Sequence, residues 1–264
     1  MKIAYLLVGL VGLISCGSDK DSDPLGSASG FCAEWAKRAC TEAVVTSCEA
    51  DDKQACQSTQ AQFCEKLVPD ALYSKAGADK CLKAVEAAYK DGDLSADERD
   101  TVRSLGAPCD EVLSGDGQAN DACNESSDCD RTAGLDCLIP LGEQYGKCQK
   151  PHKVTGGLPC DGADDVCAEG FYCADSDGEQ NCLARKNAGK ACSDTVPCAE
   201  GLKCEPAGDG GQGSLCKAKL AKNERGCETD SDCATGICLA SKTASVCASF
   251  ISLGPLEDIC EDLH

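Results

Sequence analysis

Apolar and polar residues change their rhythm three times along this chain. Ile3 to Ile14 is a run of twelve uncharged residues behind Lys2, closed by Ser15 and Cys16. A membrane-crossing helix needs roughly 20 apolar residues. The run therefore predicts the apolar stretch of a secretory signal peptide over residues 1–15. GSDKDSDPLGSASG (17–30) holds almost nothing apolar. Residues 16–30 are expected to form a disordered tether with an average reach of roughly 20 Å.

From Phe31 to about residue 115 the apolar positions return at i, i+3 and i+4, the spacing of one helix face. FCAEWAKRACTEAVV aligns Cys32, Trp35, Ala36, Ala39, Cys40 and Ala43. KQACQSTQAQFCEKLV aligns Cys56, Thr59, Phe63 and Leu67 and stops before Pro69. KCLKAVEAAYKDG aligns Cys81, Val85 and Ala88, with Gly92 as its expected C-terminal cap. SADERDTVRSL opens on Ser95 and Glu98, a capping box. The stretch DGDLSADE invites a calcium-loop reading, but Ala96 stands where the turn glycine belongs and Val102 where the bidentate Glu belongs. It reads as an interhelical loop and cap.

Cysteines at 32, 40, 48, 56 and 64 are spaced by eight, about 12 Å and an 80° drift on a helix. Folding the chain about residue 52 sets Cys48 against Cys56 and Cys40 against Cys64, riveting a helical hairpin at two levels. Cys81 and Cys109 are expected to clip the third and fourth helices. Cys32 is left without a partner.

From Asp121 the pattern becomes four Cys-rich repeats, over 121–148, 158–182, 190–216 and 225–247, followed by a C-terminal tail, 248–264. Their cysteines are Cys123, Cys129, Cys137 and Cys148; Cys160, Cys167, Cys173 and Cys182; Cys192, Cys198, Cys204 and Cys216; Cys227, Cys233, Cys238 and Cys247. Before each third cysteine stands a Gly and then an apolar residue: Gly134-Leu135, Gly170-Phe171, Gly201-Leu202 and Gly236-Ile237. Glycine permits a positive φ, and its neighbour supplies a small patch of core. Units this short need staples. Four cysteines allow three connectivities; first-to-third with second-to-fourth is preferred because it crosses two loops into one knot. Segments such as 149–159 and 217–226 read as short linkers. Seven cysteines in the helical region and one at Cys260 are both odd counts. Cys260 is therefore expected to pair back, with Cys32 favoured and Cys109 second, or else to bridge to another molecule. The expected fold class is small and disulfide-rich: an all-α, disulfide-clipped N-terminal domain, then four repeats with little regular structure beyond short β-hairpins.

Composition narrows the compartment. The chain has 25 cysteines, 4% aromatic residues, one Trp and one Met, too little bulk for one large apolar core. Behind a secretory signal, 24 cysteines besides Cys16 predict oxidised disulfides. Zinc is disfavoured because the closest pair, Cys233 and Cys238, has four residues between and the histidines are His152 and His264 alone. Removing the signal leaves 24 basic and 45 acidic residues, a net charge of −21. That excess argues against nucleic acid as a partner.

Leu13-Ile14-Ser15-Cys16 resembles a bacterial lipobox. The resemblance implies cleavage before Cys16, a diacylglycerol thioether on its sulfur and, with Gly17 following, an outer-membrane or cell-surface location. The frames CNESSDC…GLDC and CETDSDC…GIC look like the opening of the Dickkopf N-terminal cysteine-rich domain. They are closer still to the Cys-rich lipoproteins of myxobacteria and their relatives, in which a Cys-bearing helical domain precedes such repeats. The adjacent Cys-Cys pair and later cysteines of the Dickkopf domain are missing, so no Wnt-pathway role is implied.

No G-x-S-x-G, HExxH, P-loop or C-x-x-C motif occurs, and His152 falls in an apparent linker. No catalytic residue and no cofactor is predicted. DGADD (161–165), DSDGE (175–179) and ETDSD (228–232) would hold calcium weakly at most and read more simply as solvated turns. The expected function is a non-catalytic binding module, tied to the membrane through its lipid and presenting loops to an extracellular protein or polysaccharide. The alternatives are a structural spacer without a ligand, or a protease inhibitor.

Overall fold

Ser27 turns an extended approach into the first helix: its Oγ accepts from the Gly30 amide at 3.1 Å, and α1 runs Ala28–Ala39. The structure is a computed structural model that describes residues 23–140, 143–162, 164–176, 178–207, 213–240, 244–255 and 258–261. The expected signal peptide, Cys16, the start of the tether and His264 lie outside the described residues. The end of the expected tether is docked. Leu25 packs against the helical core and its carbonyl accepts from the Tyr73 hydroxyl at 2.8 Å, while Asp23 pairs with Lys75. One apolar residue in a polar stretch suffices to fasten it.

The first expected helix is two. Thr41 interrupts it by capping α2 (Glu42–Ser47), its Oγ1 accepting from the Val44 amide at 3.2 Å and donating to the Tyr89 carbonyl at 2.8 Å. Packed against α1 is α3 (Lys53–Leu67). The inserted α2 moves the mirror point from residue 52 to Cys48. Cys40 therefore bridges Cys56 and Cys32 bridges Cys64, with Cα separations of 5.9 and 5.4 Å. The expected Cys48–Cys56 and Cys40–Cys64 bonds do not form. Nor does Cys32–Cys260: Cys48, at the end of α2, takes Cys260 instead, with Cα atoms 5.1 Å apart. Fixing α3 this way buries Cys56, Gln60 and Cys64. Phe63, expected inside, lies half-buried beneath the Arg103 guanidinium, 5.2 Å from the ring centroid.

Next come α4 (Ala78–Ala88), β1 (Asp93–Leu94) and α5 (Ala96–Ser104). Tyr89 is the C-cap of α4, and Gly92 takes its positive φ of 79° in the turn beyond. The Ser95–Glu98 capping box is complete on both sides. Cys81 is joined to Cys109. Trp35, Phe31, Tyr89 and Leu82 fill the centre, none more than 1% exposed.

Repeat 1 holds β2 (Ala122–Cys123), β3 (Asp136–Leu138) and β4 (Gly146–Gln149), in sheet order β2-β4-β3. Repeat 2 holds β5 (His152–Val154), parallel to β6 (Asp165–Cys167), and the hairpin of β7 (Phe171–Ser176) with β8 (Glu179–Ala184). Repeat 3 has β9 (Ala191–Cys192), β10 (Leu202–Pro206) and β11 (Ser214–Ala218), ordered β10-β11-β9. Repeat 4 pairs β12 (Cys238–Leu239) with β13 (Val246–Cys247). The last segment is no tail: β14 (Ile251–Ser252) sets Ile251 opposite Leu94 of β1, and α6 (Asp258–Glu261) carries Cys260 into the helical core beside Ile259.

One frame recurs four times. Gly117, Val154, Lys186 and Leu220 each pair in parallel with a second cysteine, Cys129, Cys167, Cys198 and Cys233. Three residues later Asn120, Gly157, Gly189 and Asn223 take positive φ values of 76°, 81°, 75° and 68°. Their amides donate to the carbonyls of the fourth cysteines, Cys148, Cys182, Cys216 and Cys247. Stretches 149–159 and 217–226 are thus not linkers: each begins with the end of one repeat's last strand and goes on to the opening segment of the next repeat. In every repeat the first cysteine joins the third and the second joins the fourth. Gly134, Gly170, Gly201 and Gly236 have φ between 70° and 82°. After them Leu135 and Ile237 are buried, while Phe171 and Leu202 are half-buried.

Both ends of the array rest on the helical domain. In repeat 1, Arg131 donates to the carbonyl and carboxylate of Asp110, at 2.8 and 3.1 Å. In repeat 4, Asp230 pairs with Arg99 of α5 at 2.5 Å, and Gly236 lies so close that a Cβ there would meet the Ala96 Cβ at 2.8 Å. The repeats therefore form a loop that leaves the helical body and returns to it.

Candidate binding groove

Repeats 1, 2 and 3 converge on an open groove of about 840 Å³. The end of β3 brings Leu138, Ile139 and Pro140 to one wall; repeat 2 supplies Val166 from β6 and Phe171 from β7; the turn of repeat 3 adds Thr195 and Val196. Ile139 and Val166 are 43% and 36% exposed, so the groove keeps apolar surface in water. Asp161, Asp165, Asp175 and Arg185 supply its charges.

Asp165 is fixed from two sides. One carboxylate oxygen faces the His152 Nδ1 at 2.7 Å and the other accepts from the Gly162 amide at 2.8 Å. These bonds, the imidazole first, hold the carboxyl below the usual carboxylate range. His152 is correspondingly raised, chiefly by the hydrogen bond to Asp165. The sequence placed His152 in a loose linker, but it sits in β5, opposite Asp165 in register. Among the described residues its ring makes no hydrogen bond other than that to Asp165.

The pair has a pH signature. His152 is expected to titrate above 6.5, the ordinary value. Its contribution to stability is full below pH 6.5 and is lost as pH rises through the higher folded-state value. Asp165→Asn should bring the titration back toward 6.5, read from the imidazole proton resonances of the chain's two histidines. An unshifted His152 in the parent protein would remove this pair from the account.

The acidic clusters divide by repeat. In ETDSD, Asp232 accepts from the Thr229 and Glu228 amides and from Lys203, which hold it far below the usual range, the amides first. Asp230 accepts from the Cys238 amide at 2.7 Å and from Arg99. These carboxylates brace the repeat. In DGADD and DSDGE, Asp161 is exposed and, among the described residues, Asp175 accepts from the Gly178 amide alone, at 3.2 Å; both line the groove. Each repeat gathers three cysteine sulfurs within 4.8 Å of one another. All are disulfide sulfurs and carry no thiolate to offer a metal.

Charge is uneven along the array. Repeat 1 with its opening strand (117–148) has six acidic and two basic residues, and 155–185 has seven and one. Stretches 186–216 and 220–247 each have four and three. The groove lies in the acidic half. The signal for it was partly present in the sequence, since two of its clusters stand out there. That Leu138 to Pro140 would face them depends on how repeats 1 and 2 stack, which no local pattern encodes.

Twelve disulfides are consistent with an extracellular or secreted protein. Among the described residues no helix is long and apolar enough to cross a membrane. Comparison with protein-family models, curated proteins and solved structures finds no match.

Proposed function

We propose that this chain is a lipid-anchored, disulfide-stapled envelope protein whose repeats act as a non-catalytic binding module for an extracellular partner. The supporting observation is the groove at the junction of three repeats, where different loops hang on one repeated frame of sulfur and backbone bonds. Variable loops on a rigid scaffold are the usual arrangement for recognition. The anchor rests on Cys16, which stands where the apolar run ends; several acyl chains at about 0.8 kcal/mol per CH₂ would make attachment stable.

Purified from its own envelope with disulfides intact, the protein should show a mass that begins at an acylated Cys16. On an array of peptides and oligosaccharides it should bind at least one class saturably. Filling the groove with Val166→Trp should abolish that binding. Failure to saturate on every class would leave the role of a structural spacer.

A further inference from the structure

We infer that the groove between repeats 1 and 2 takes an extended cationic peptide segment whose basic side chains alternate with apolar ones. This rests on the reading of the repeats as a binding module and names its ligand class. Three features of the groove carry it.

The first is charge. Among the described residues that line the groove, Asp161, Asp165 and Asp175 stand with Arg185 as the one basic side chain, Asp165 being bonded to His152 as well, and repeats 1 and 2 carry thirteen acidic residues against five basic ones over 117–185. A groove lined by one sign of charge concentrates ligands of the other. It also repels a second copy of this acidic chain, and equally an anionic polysaccharide.

The second is surface type. Ile139 and Val166 stay exposed beside Phe171 and Pro140. Apolar surface kept in water next to fixed carboxylates marks an interaction site. A compact inorganic cation would have no use for the apolar wall, while a peptide with aliphatic side chains covers it.

The third is backbone. Among the described residues, β6 pairs only with β5 and β7 only with β8, while β3 is the outer strand of its sheet but has its Cys137 amide already donated to the Ser126 Oγ at 3.4 Å. All three line the groove. A strand with a free edge offers unpaired amides and carbonyls to an extended chain. A chain added in that conformation sends successive side chains to opposite faces. One set would then meet Asp161 and Asp175 and the other Ile139 and Val166.

Isothermal titration of the full disulfide-bonded chain tests this with two probes, Ac-Lys-Val-Lys-Val-Lys-amide and its Glu-Val-Glu-Val-Glu counterpart. The lysine probe should bind saturably and the glutamate probe should not. Asp161→Asn with Asp175→Asn should weaken the lysine probe about tenfold, taking up to roughly fivefold for each exposed pair. Ile139→Ala should weaken it several-fold. Among the described residues the Asp161 side chain makes no hydrogen bond or ion pair, and Asn keeps the acceptor that Asp175 offers Gly178, so the double variant is expected to fold. Unchanged circular dichroism and His152 titration would check that. Raising salt from ~50 to ~500 mM should weaken the parent and leave the double variant nearly unaffected.

Equal binding of both probes, or lysine-probe binding indifferent to the double variant, overturns the inference. So does groove-dependent binding of an oligosaccharide alone, or dimerisation blocked by Ile139→Ala; both would leave the binding-module reading standing. Absence of saturable binding by the probes and by every ligand class on the array overturns both.

Discussion

Cys48→Ala with Cys260→Ala is expected to lower unfolding stability by about 3–5 kcal/mol, more than loss of any bridge inside a repeat. The bond joins residues 212 apart in sequence, against 11 to 19 for the repeat bridges. Even with every shortcut through the inner bridges taken, the closed loop is on the order of 100 residues, for which the chain-entropy model gives about 4.7 kcal/mol. Cys48 and Cys260 are both fully buried, and alanine at each leaves a small void without stranding a polar group. Denaturant unfolding measures the change. Hydrogen exchange shows where it falls, with protection expected to drop first at residues 251–261. An unchanged midpoint with that segment still protected would mean that the β1–β14 pairing and the burial of Leu253 and Ile259 hold the C-terminus unaided.

Trp35→Ala should cost about 3–5 kcal/mol, the range for emptying a large aromatic site in a packed core. Trp35 is fully buried and stands edge-on to Phe31, with ring centroids 6.1 Å apart. Its Nε1 donates to the Gln60 Oε1 at 3.3 Å, so truncation also removes the partner of a buried amide. Disulfides bracket the cavity through Cys32–Cys64 and Cys40–Cys56 and limit collapse around it. Circular dichroism at 222 nm would follow the helices. The repeats, each with its own sulfur core, should keep their exchange protection. A small loss, under about 1 kcal/mol, would show that the bridges and not the apolar core set helical stability.

Much of the architecture was legible in the sequence, for physical reasons that can be named. Ser95 and Glu98 announce α5 because capping is a local bond between residues three apart. Gly134 and Gly236 mark tight turns because few other residues accept a positive φ. The hairpin pairings went astray at Thr41. Its side chain competes for the helix as a cap or as an interior residue with nearly equal ease, and the Tyr89 carbonyl, 48 residues away, decides the matter. That one interruption moves the hairpin register and frees Cys48 for Cys260.

The repeat frame was half legible. Counting cysteines locates the units, but their true beginnings lie earlier, at Gly117, Val154, Lys186 and Leu220. A usable signal was present: Asn or Gly three or four residues before each first cysteine, at Asn120, Gly157, Gly189 and Asn223. Asn tolerates the left-handed region nearly as well as Gly does, so the two types form one class. The groove was not legible beyond its acidic clusters, because Ile139 and Val166 come from separate repeats and share no pattern.

The Cys48–Cys260 bond also decides what a protease can do. Any single backbone cut between those residues leaves both fragments on one covalent molecule, since the bridge still joins them. Nicked in an exposed stretch of a repeat, the protein would run as two chains only after reduction. Removing any repeat by cuts within that span therefore takes a second one, and a single break there frees no fragment.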